Sequence, residues 1–398
     1  MKISAEAKKA IMIGSTCTIS YFAVYVARNI LGVVTPQLLE SGTFTNESIG
    51  TLSSIYFIVY AIGQLINGRI GDKIKSKYMI SFGLVMAGVC NAIFSRFAHY
   101  TMAAYISYGF TGYFLSMIYG PMTKTVAENT EPIYATRCAL GYTFASFVAT
   151  PMAGVLAAFL LWRMVFSVSS VLLITMGVLA FVVFTAFEKK GLIQYGKYAR
   201  TDGKAFDFKV LVHHRIIKFI FIAVITGIVR TSVVFWLPTY LSQYLQFPSE
   251  TAALIFTVVS FIFSFNTFIA IFVYERLKRN MDLCILVFFS VSATNFLLAY
   301  LLKQPVLNII FIVLAIMGSN GSCSMLFTRY CPSLRDTGMV SGATGFLDFT
   351  SYIGASIASN VFANAATTWG WGNLILVWFG LIVVGVIVAL PRKQKETA

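Results

Sequence analysis

The chain has 398 residues, of which 58% are hydrophobic and only 11% are charged, against about 25% charged residues in an ordinary soluble domain. A soluble fold of this length leaves roughly a quarter of its unfolded surface exposed, so it cannot hide this much apolar surface from water. Composition therefore excludes a cytosolic enzyme, a disordered chain and a secreted disulfide scaffold. It predicts a protein whose main solvent is lipid.

Long apolar runs predict membrane-spanning helices rather than the strands of a β-barrel. A spanning helix needs about 20 mainly apolar residues, whereas a barrel strand needs about 10 with alternating polarity. Charged residues, prolines and glycines divide this chain into twelve runs of helical length, which predicts an all-α membrane protein with 12 transmembrane helices. The predicted spans are residues 10–37, 47–69, 78–95, 99–125, 133–160, 163–187, 214–243, 250–274, 282–302, 306–329, 337–363 and 370–391.

Positive charge is distributed very unevenly over these spans. With both termini in the cytoplasm, 25 of the 30 lysines and arginines fall in cytoplasmic segments, and three (Arg96, Arg163 and Lys303) fall on the outer side. This is the positive-inside pattern of a multi-pass protein of the cell inner membrane or plasma membrane. The net charge of +15 therefore indicates topology and not nucleic-acid binding. The other two basic residues, Arg28 and Arg230, lie inside predicted spans.

The sequence carries no motif for a cofactor or a metal. It has no Walker loop, no glycine-rich phosphate cradle and no nucleophile elbow, and its six cysteines and three histidines show no metal-ligand spacing. We therefore expect no cofactor, no metal and no enzymatic activity. The expected state is a monomer, and its expected partners are the lipid bilayer and a small solute.

The chain is predicted to be an internal repeat of a six-span unit. Arg28 is followed eight residues later by Pro36, and Arg230 is followed eight residues later by Pro238. A long polar interval near mid-chain separates the two copies. Parallel duplication of this kind, with the solute bound between the halves, is a known transporter design. The predicted divisions are an N-terminal bundle at 1–187, a cytoplasmic linker at 188–213 and a C-terminal bundle at 214–398.

Four segments carry motifs that are similar to those of a known family. They are Gly68-Arg69-Ile70-Gly71-Asp72-Lys73 with Lys77, Tyr25-x-x-Arg28-Asn29 with Pro36-x-Leu38, Trp236-Leu237-Pro238-Thr239-Tyr240-Leu241, and Gly338-x-x-Ser341-Gly342-x-x-Gly345-Phe346. The first resembles the loop between helices two and three of the major facilitator superfamily. The others resemble the first, seventh and eleventh helices of its organophosphate:phosphate antiporter family, which includes glycerol-3-phosphate and hexose-phosphate transporters. The resemblance implies the major facilitator fold, with two pseudo-symmetric six-helix bundles.

The two intramembrane arginines are the main functional candidates. An arginine at mid-bilayer costs at least about 2.5–3.5 kcal/mol, and arginine does not escape this cost by losing its proton. Its planar guanidinium binds phosphate or carboxylate oxygens in a forked pair. We predict that Arg28 and Arg230 face each other across a water-filled cavity and bind an anion. The alternative for each is a helix-packing or snorkelling role. In the resembled family, arginines at these two positions bind phosphate.

Helical spacing places further candidates near the arginines. Tyr21, Tyr25 and Arg28 share one face of the first span because Tyr25 and Arg28 lie four and seven residues after Tyr21. The resemblance implies site tyrosines at the positions of Tyr21, Tyr25 and Tyr60, and ordinary packing is the alternative for each. The complete set of predicted solute-binding residues is Arg28, Arg230, Tyr21, Tyr25, Tyr60, Gln64, Tyr142, Ser146, Asn266, Asn320 and Thr344.

Three positions depart from the family pattern. Gln64 stands where phosphate-exchanging members usually carry lysine, and Ser146 stands where the glycerol-phosphate type carries histidine. Asp348 stands in the eleventh span, where the resembled members carry a small neutral residue, and Thr344 and Tyr352 lie one turn to either side of it. The predicted cavity is therefore less positive than in those relatives, which favours a carboxylate, another polar monoanion, or a phosphate ester held by fewer contacts. We predict that Asp348 is a counter-charge to an arginine, with Arg230 as the candidate partner, or a proton-coupling site, and the alternative is a cavity-edge acid.

The predicted mechanism is alternating access by rocking of the two halves around a central site. Two loops on the cytoplasmic side are expected either to pair across the halves or to be solvated topology signals. Their predicted gate residues are Gly68, Asp72, Lys73, Glu275 and Arg276. Three functions stay open: an organophosphate/phosphate antiporter, a facilitative or proton-coupled carrier of a non-phosphate organic anion, and a solute receptor that does not transport.

Overall fold

The computed structural model describes residues 4–195, 212, 214–334 and 340–390, and the regular secondary structure within these ranges is helical throughout. The described residues form twelve helical spans, which confirms the predicted all-α membrane fold. The spans are α1 Ala5–Glu40, α2 Asn46–Lys73, α3 Ser76–Phe97, α4 Thr101–Leu115 continued by Tyr119–Asn129, α5 Pro132–Phe159, α6 Trp162–Lys189, α7 Ile216–Gln243, α8 Ser249–Arg276, α9 Met281–Leu301, α10 Pro305–Ser333, α11 Val340–Thr368 and α12 Gly370–Ala389.

The helices carry more apolar surface than the protein buries. Over the described ranges, nine of the twelve spans are long and apolar enough to cross a membrane, all except α4, α5 and α11. Between 33% and 67% of each such apolar segment is buried inside the protein, and large side chains such as Phe159 and Met102 are 75% and 72% exposed. That exposure is unfavourable in water and costs nothing in lipid. The protein is therefore a multi-pass membrane protein.

Short polar segments set the helix ends. At the start of α2, the Thr45 hydroxyl accepts from the Ser48 amide at 3.2 Å, and the Ser48 hydroxyl accepts from the Thr45 amide at 2.8 Å. This capping box satisfies two amides that the helix leaves without partners. At its other end, α2 stays helical to Lys73, so the predicted end of the second span at residue 69 is four residues too early. Interior glycines cost a helix only about 1 kcal/mol each, which does not stop α2 at Gly68.

Four helices depart from regular α geometry. The predicted span 99–125 is interrupted, because α4 ends at Leu115 and resumes at Tyr119. Helix α8 is broken at Phe265, and α7 and α10 contain π-helical segments at Ile228–Val233 and Leu326–Tyr330. Single π-helical turns inside α-helices are frequent at functional sites. The segment in α7 contains Arg230.

The described residues pack into two compact units. The first consists of those in Met1–Thr201 and Leu237–Phe261, and the second of those in Asp202–Trp236 and Ile262–Ala398. Parts of α7 and α8 thus pack with the first six helices. The division into bundles at 1–187 and 214–398 stays a prediction, and most of the linker lies outside the described residues.

Small residues allow α3 and α6 to pack backbone against backbone in the first unit. A Cβ at Gly88 would lie 2.9 Å from the carbonyl oxygen of Ser170, and a Cβ at Gly177 would lie 2.9 Å from that of Ser81. Such close approach through small residues is typical of helix pairs in membranes. The buried Asn91 of α3 donates to the Ser169 hydroxyl of α6 at 3.1 Å. These contacts fix the relative position of the two helices.

Candidate functional site

Aromatic rings surround Arg28 in the first compact unit. Its guanidinium carbon lies 5.3 Å from the ring centre of Tyr60 on α2 and 5.5 Å from that of Tyr25, one turn earlier on α1. Both distances are within the range of cation–π attraction, which stabilises the cation without neutralising it. The arginine is half-buried, and Tyr60 is only 5% exposed. Arg28 therefore keeps its positive charge in an environment that water reaches only in part.

A cluster of tyrosines extends this environment. The Tyr21 ring lies 4.9 Å from Tyr25, 6.1 Å from Tyr142 of α5 and 5.4 Å from Tyr119 of α4. The structure thus brings together the predicted tyrosines at positions 21, 25, 60 and 142. Tyr119 was missed in the sequence, because it lies at the start of the second α4 segment, where a continuous helix was predicted. Helical spacing alone does not show which ring faces α1.

A second missed contact ties α1 to α5 next to Arg28. The Asn29 amide donates to the carbonyl oxygen of Tyr25 at 2.7 Å and to the Thr150 hydroxyl at 3.2 Å. The Thr150 hydroxyl in turn donates to the carbonyl oxygen of Ser146 at 3.1 Å. This chain of hydrogen bonds fixes the helix turn that carries Arg28. The predicted residues Gln64 and Ser146 are half-buried on α2 and α5.

In the second compact unit, Arg230 of α7 forms an ion pair with Asp348 of α11. The distance from Arg230 Nη2 to Asp348 Oδ1 is 3.2 Å, and the two side chains are 34% and 27% exposed. The guanidinium carbon also lies 5.8 Å from the Tyr352 ring and 5.9 Å from the Phe327 ring. The second unit therefore contains both an arginine in an aromatic environment and a carboxylate that contacts it.

Hydrogen bonds along α7 and α11 hold this pair in register. The Ser232 hydroxyl donates to the carbonyl oxygen of Ala355 at 2.6 Å, and the Trp236 indole donates to that of Ser359 at 3.2 Å. On the other side of Arg230, a Cβ at Gly227 would lie 2.5 Å from the Cβ of Ser351, so the two helices touch there. These contacts lie on both sides of Arg230 in the sequence. Asp348 is thus held beside the arginine by helix packing as well as by charge.

The other predicted binding residues of the second unit are Asn266, Asn320 and Thr344, and only the first has a clear structural role. With its amide oriented to satisfy both neighbours, Asn266 donates to the carbonyl oxygen of Met317 and accepts from the amide of Gly321, each at 3.0 Å. These bonds join α8 to α10, so Asn266 has a structural role. Asn320 and Thr344 are half-buried, and within the described ranges the buried Oδ1 of Asn320 has no hydrogen-bond partner.

The predicted gate residues lie at helix ends. Gly68 is exposed on α2, and Asp72 and Lys73 belong to the last turn of that helix, but their side chains lie outside the described part. Glu275 and Arg276 are exposed at the end of α8, where the Arg276 guanidinium lies 5.2 Å from the Phe272 ring. The predicted pairing across the halves stays a prediction. Among the described residues, no group of His, Cys, Asp or Glu could hold a metal ion.

Fold and site together define a multi-pass helical membrane protein with a spanning-helix arginine in each compact unit. The family model of the Major Facilitator Superfamily matches residues 17–359, and the chain belongs to that superfamily. This superfamily consists of membrane transport proteins, so the chain is not an enzyme.

Two curated relatives match along nearly the whole chain. The membrane sensor protein UhpC of Escherichia coli (strain K12) is 21% identical over 416 positions, covering 96% of this chain and 92% of the relative. The glycerol-3-phosphate transporter of Bacillus subtilis (strain 168) is 22% identical over 411 positions, covering 96% of this chain and 91% of the relative. The family resemblance found in the sequence is thereby confirmed.

A solved structure has the same fold. It is the inward-facing, unoccupied crystal structure of a bacterial homologue of the human lysosomal transporter Spinster, which superposes with a TM-score of 0.79. The superposition covers 96% of both chains at 12% sequence identity. At this identity the likeness supports the major facilitator fold and nothing about the solute.

The Arg230–Asp348 pair can be tested with a double-mutant cycle. Arg230→Gln and Asp348→Asn should each lower the melting temperature of the purified protein, because each leaves one charge partly buried without its partner. The double variant should lose about 1 kcal/mol less than the sum of the single losses. Thermal unfolding in detergent measures all four proteins. A matched cycle that combines Asp348→Asn with Lys303→Gln, an exposed loop cation, should be additive. Equal behaviour of the two cycles would contradict the pairing.

Proposed function

We propose that this protein is a secondary carrier of a small organic anion, with organophosphates as the best-supported class, and that Arg28 and Arg230 bind the anion. The observation that carries the proposal is a permanent cation in a membrane helix of each compact unit, bordered each time by aromatic rings. A cation that costs free energy at this depth is expected to serve a solute pathway.

The chemistry of the two environments favours an anion with several oxygens. Each guanidinium has five N–H donors in a rigid fork, and this geometry matches a phosphate or a carboxylate. The tyrosines around Arg28 add hydroxyl donors and apolar ring faces, which suit the polar and carbon parts of a phosphate ester. The relative from Bacillus subtilis, named a glycerol-3-phosphate transporter, supports the same solute class for this chain.

Asp348 favours one specific variation on this function. Its carboxylate contacts Arg230 and can occupy that arginine when no solute is bound. A solute anion must then displace Asp348, and the empty carrier has less uncompensated positive charge than it would have without this acid. Closing a cavity around like charges is unfavourable because it removes their water. We therefore propose exchange with phosphate as the basic mode, with Asp348 permitting some net or proton-coupled uptake.

A seam in the first compact unit supports alternating access. The side-chain amides of Asn46 and Gln243 are paired, with N···O distances of 3.2 and 3.4 Å. Thr257 of α8 donates to the carbonyl oxygen of Pro151 at 3.4 Å, and a Cβ at Gly154 would contact the Thr257 side chain. The seam thus joins the second-half helices α7 and α8 to α2 and α5. If the two halves rock against each other, the contacts of this seam have to break and form again in each transport cycle.

A receptor that does not transport is the second candidate. It is favoured by one observation, the membrane sensor protein from Escherichia coli among the relatives that match the whole chain. In this second candidate function, Arg28 and Arg230 bind the solute as in a carrier, but the protein moves none of it across the membrane. A protein that binds solute but moves none across liposomes would therefore be assigned to the sensor class.

Ligand binding should depend on both arginines. We expect glycerol-3-phosphate, a hexose phosphate or inorganic phosphate to raise the melting temperature, with a stabilisation of about 2.7 kcal/mol at a hundredfold excess over Kd. Arg28→Gln and Arg230→Gln should each abolish the rise, and Lys303→Gln should retain it. A thermal-shift series that includes a dicarboxylate measures this. If only the dicarboxylate stabilises the protein, the organophosphate class is wrong. If both variants keep the full response, the arginine site is wrong.

The role of Asp348 should be visible in transport. Wild-type protein in liposomes should take up labelled solute faster when the lumen contains phosphate, and should retain a slower, pH-dependent uptake into empty liposomes. Asp348→Asn should keep the exchange but lose the uptake into empty liposomes, because the empty cavity then carries one more uncompensated charge. Unchanged pH dependence and an unchanged exchange ratio in the variant would refute the proposed role of Asp348.

Joining the seam should stop transport reversibly. In an Asn46→Cys, Gln243→Cys double variant, a short bifunctional thiol reagent with a cleavable spacer should abolish exchange, and cleavage of the spacer should restore it. Each single variant treated in the same way is the control and should keep its exchange rate. Full activity of the cross-linked protein would show that the seam does not open during transport.

A further inference from the structure

A cavity of about 410 Å³ lies between α3 and α6, and none of its lining residues belongs to the environments of Arg28 or Arg230 described above. It is near the end of α3 and the start of α6, on the side of the first unit opposite to the start of α1. Its lining residues are Ala92, Ser95, Arg96, Arg163, Ser167, Ser170 and Val171. The cavity thus combines two guanidinium groups, three hydroxyl groups and an apolar wall.

The two arginines are unusual for this side of the molecule. In the predicted topology, only Arg96, Arg163 and Lys303 among the 30 lysines and arginines are on the outer side, and two of these three line one cavity. Both are exposed, and in the described part of the chain neither forms an ion pair with a carboxylate. Arg163 instead lies with its guanidinium carbon 5.1 Å from the Trp162 ring. Two like charges in one cavity attract an anion in the space between them.

The serines form a fixed polar wall beside the arginines. The hydroxyls of Ser95 and Ser167 each lie 2.9 Å from the carbonyl oxygen of Arg163, and they are 3.0 Å apart. Ser170 donates to the carbonyl oxygen of Gly88 at 2.7 Å, deeper along the helix pair. The close packing of α3 and α6 holds this wall in place. Each hydroxyl donates its one proton to a backbone carbonyl, so the guanidinium groups are the donors that an oxygen-rich group entering the cavity meets, and the serines border it as a fixed polar surface.

The rest of the cavity wall is apolar and opens toward lipid. Val171 is 65% exposed, and Ala92 is also exposed. Val168, one turn before the end of the cavity on α6, is an exposed apolar residue as well. An amphipathic cavity at a helix end, with charge at the rim and apolar surface along the membrane, matches a phospholipid better than a free solute. The headgroup would meet the arginines and an acyl chain would lie along the valine face.

We propose that this cavity is a binding site for the phosphate headgroup of a membrane phospholipid, in the leaflet opposite to the start of α1. Arg96 and Arg163 contact the phosphate oxygens, the hydroxyl wall borders the headgroup, and Val171 contacts the acyl chain. The occupied site links the end of α3 to the start of α6 through the lipid. This site is separate from the proposed solute site, and its existence does not depend on the solute.

Native mass spectrometry of the purified protein with phosphatidylglycerol tests the proposal. The wild-type protein should retain one tightly bound lipid. The Arg96→Gln, Arg163→Gln double variant should bind it about tenfold more weakly, since two exposed charge contacts together contribute on the order of 1.4 kcal/mol. Ala92→Trp, which fills the cavity and leaves both arginines in place, should reduce retention of the lipid as well.

The matched control removes two exposed cations elsewhere, by Lys278→Gln and Arg279→Gln, and should retain the lipid. Equal loss in both double variants would show that lipid follows net charge and would overturn the proposal. Retention of the lipid in the Ala92→Trp variant would show that the lipid does not occupy this cavity, which would also overturn the proposal. A large excess of soluble glycerol-3-phosphate should leave the lipid bound. Displacement by it would show that the cavity takes free phosphate esters, which would also overturn the lipid assignment. Melting curves of each variant verify that it is folded.

Discussion

Arg28 and Arg230 lie in spanning helices and cannot lose their proton, so the side chains around them have to stabilise a permanent positive charge. A lysine or a carboxylic acid placed at the same depth becomes neutral, but arginine keeps its charge, so the protein must supply compensation around it. The first compact unit supplies it with the ring faces of Tyr25 and Tyr60. The second supplies a carboxylate, Asp348, together with two rings. Both units thus place aromatic rings beside an arginine, and the second also places a carboxylate there.

The difference between the units depends on how closely two helices approach. Asp348 reaches Arg230 because α7 and α11 touch at Gly227 and Ser351 and are joined further along by Ser232 and Trp236. Small residues at such a crossing contribute through close van der Waals packing and hydrogen bonds, since lipid provides no hydrophobic force between helices. The ion pair is partly exposed, so its own contribution to stability is small. Packing determines where the acid lies, and the charge determines what it can do there.

Sequence patterns predicted the spans well because a helix that crosses lipid needs about 20 mainly apolar residues, and a run of that length is visible in the sequence. They did not predict the break in α4, the break at Phe265 or the π-helical segments, because these depend on single backbone hydrogen bonds that hydropathy does not report. The neighbours of Arg28 on its own helix followed from helical spacing. Tyr119 and Thr150 did not, since they belong to other helices and their orientation is set by packing. The pairing of Arg230 with Asp348 was a hypothesis from charge alone, and the structure places the two 3.2 Å apart.

The π-helical segment that contains Arg230 makes the duplicated sequence unequal in space. Arg28 and Pro36 are eight residues apart on a continuous α-helix, and Arg230 and Pro238 are eight residues apart on a helix whose winding is widened at Ile228–Val233. A wider turn advances through a smaller angle per residue, so the azimuth between arginine and proline differs in the two copies. The regular spacing that the two copies share in sequence is thus not matched by equal helix geometry. The duplicated arginines therefore stand at different angles to the prolines of their helices, so one copy of the repeat does not offer an anion the same geometry as the other.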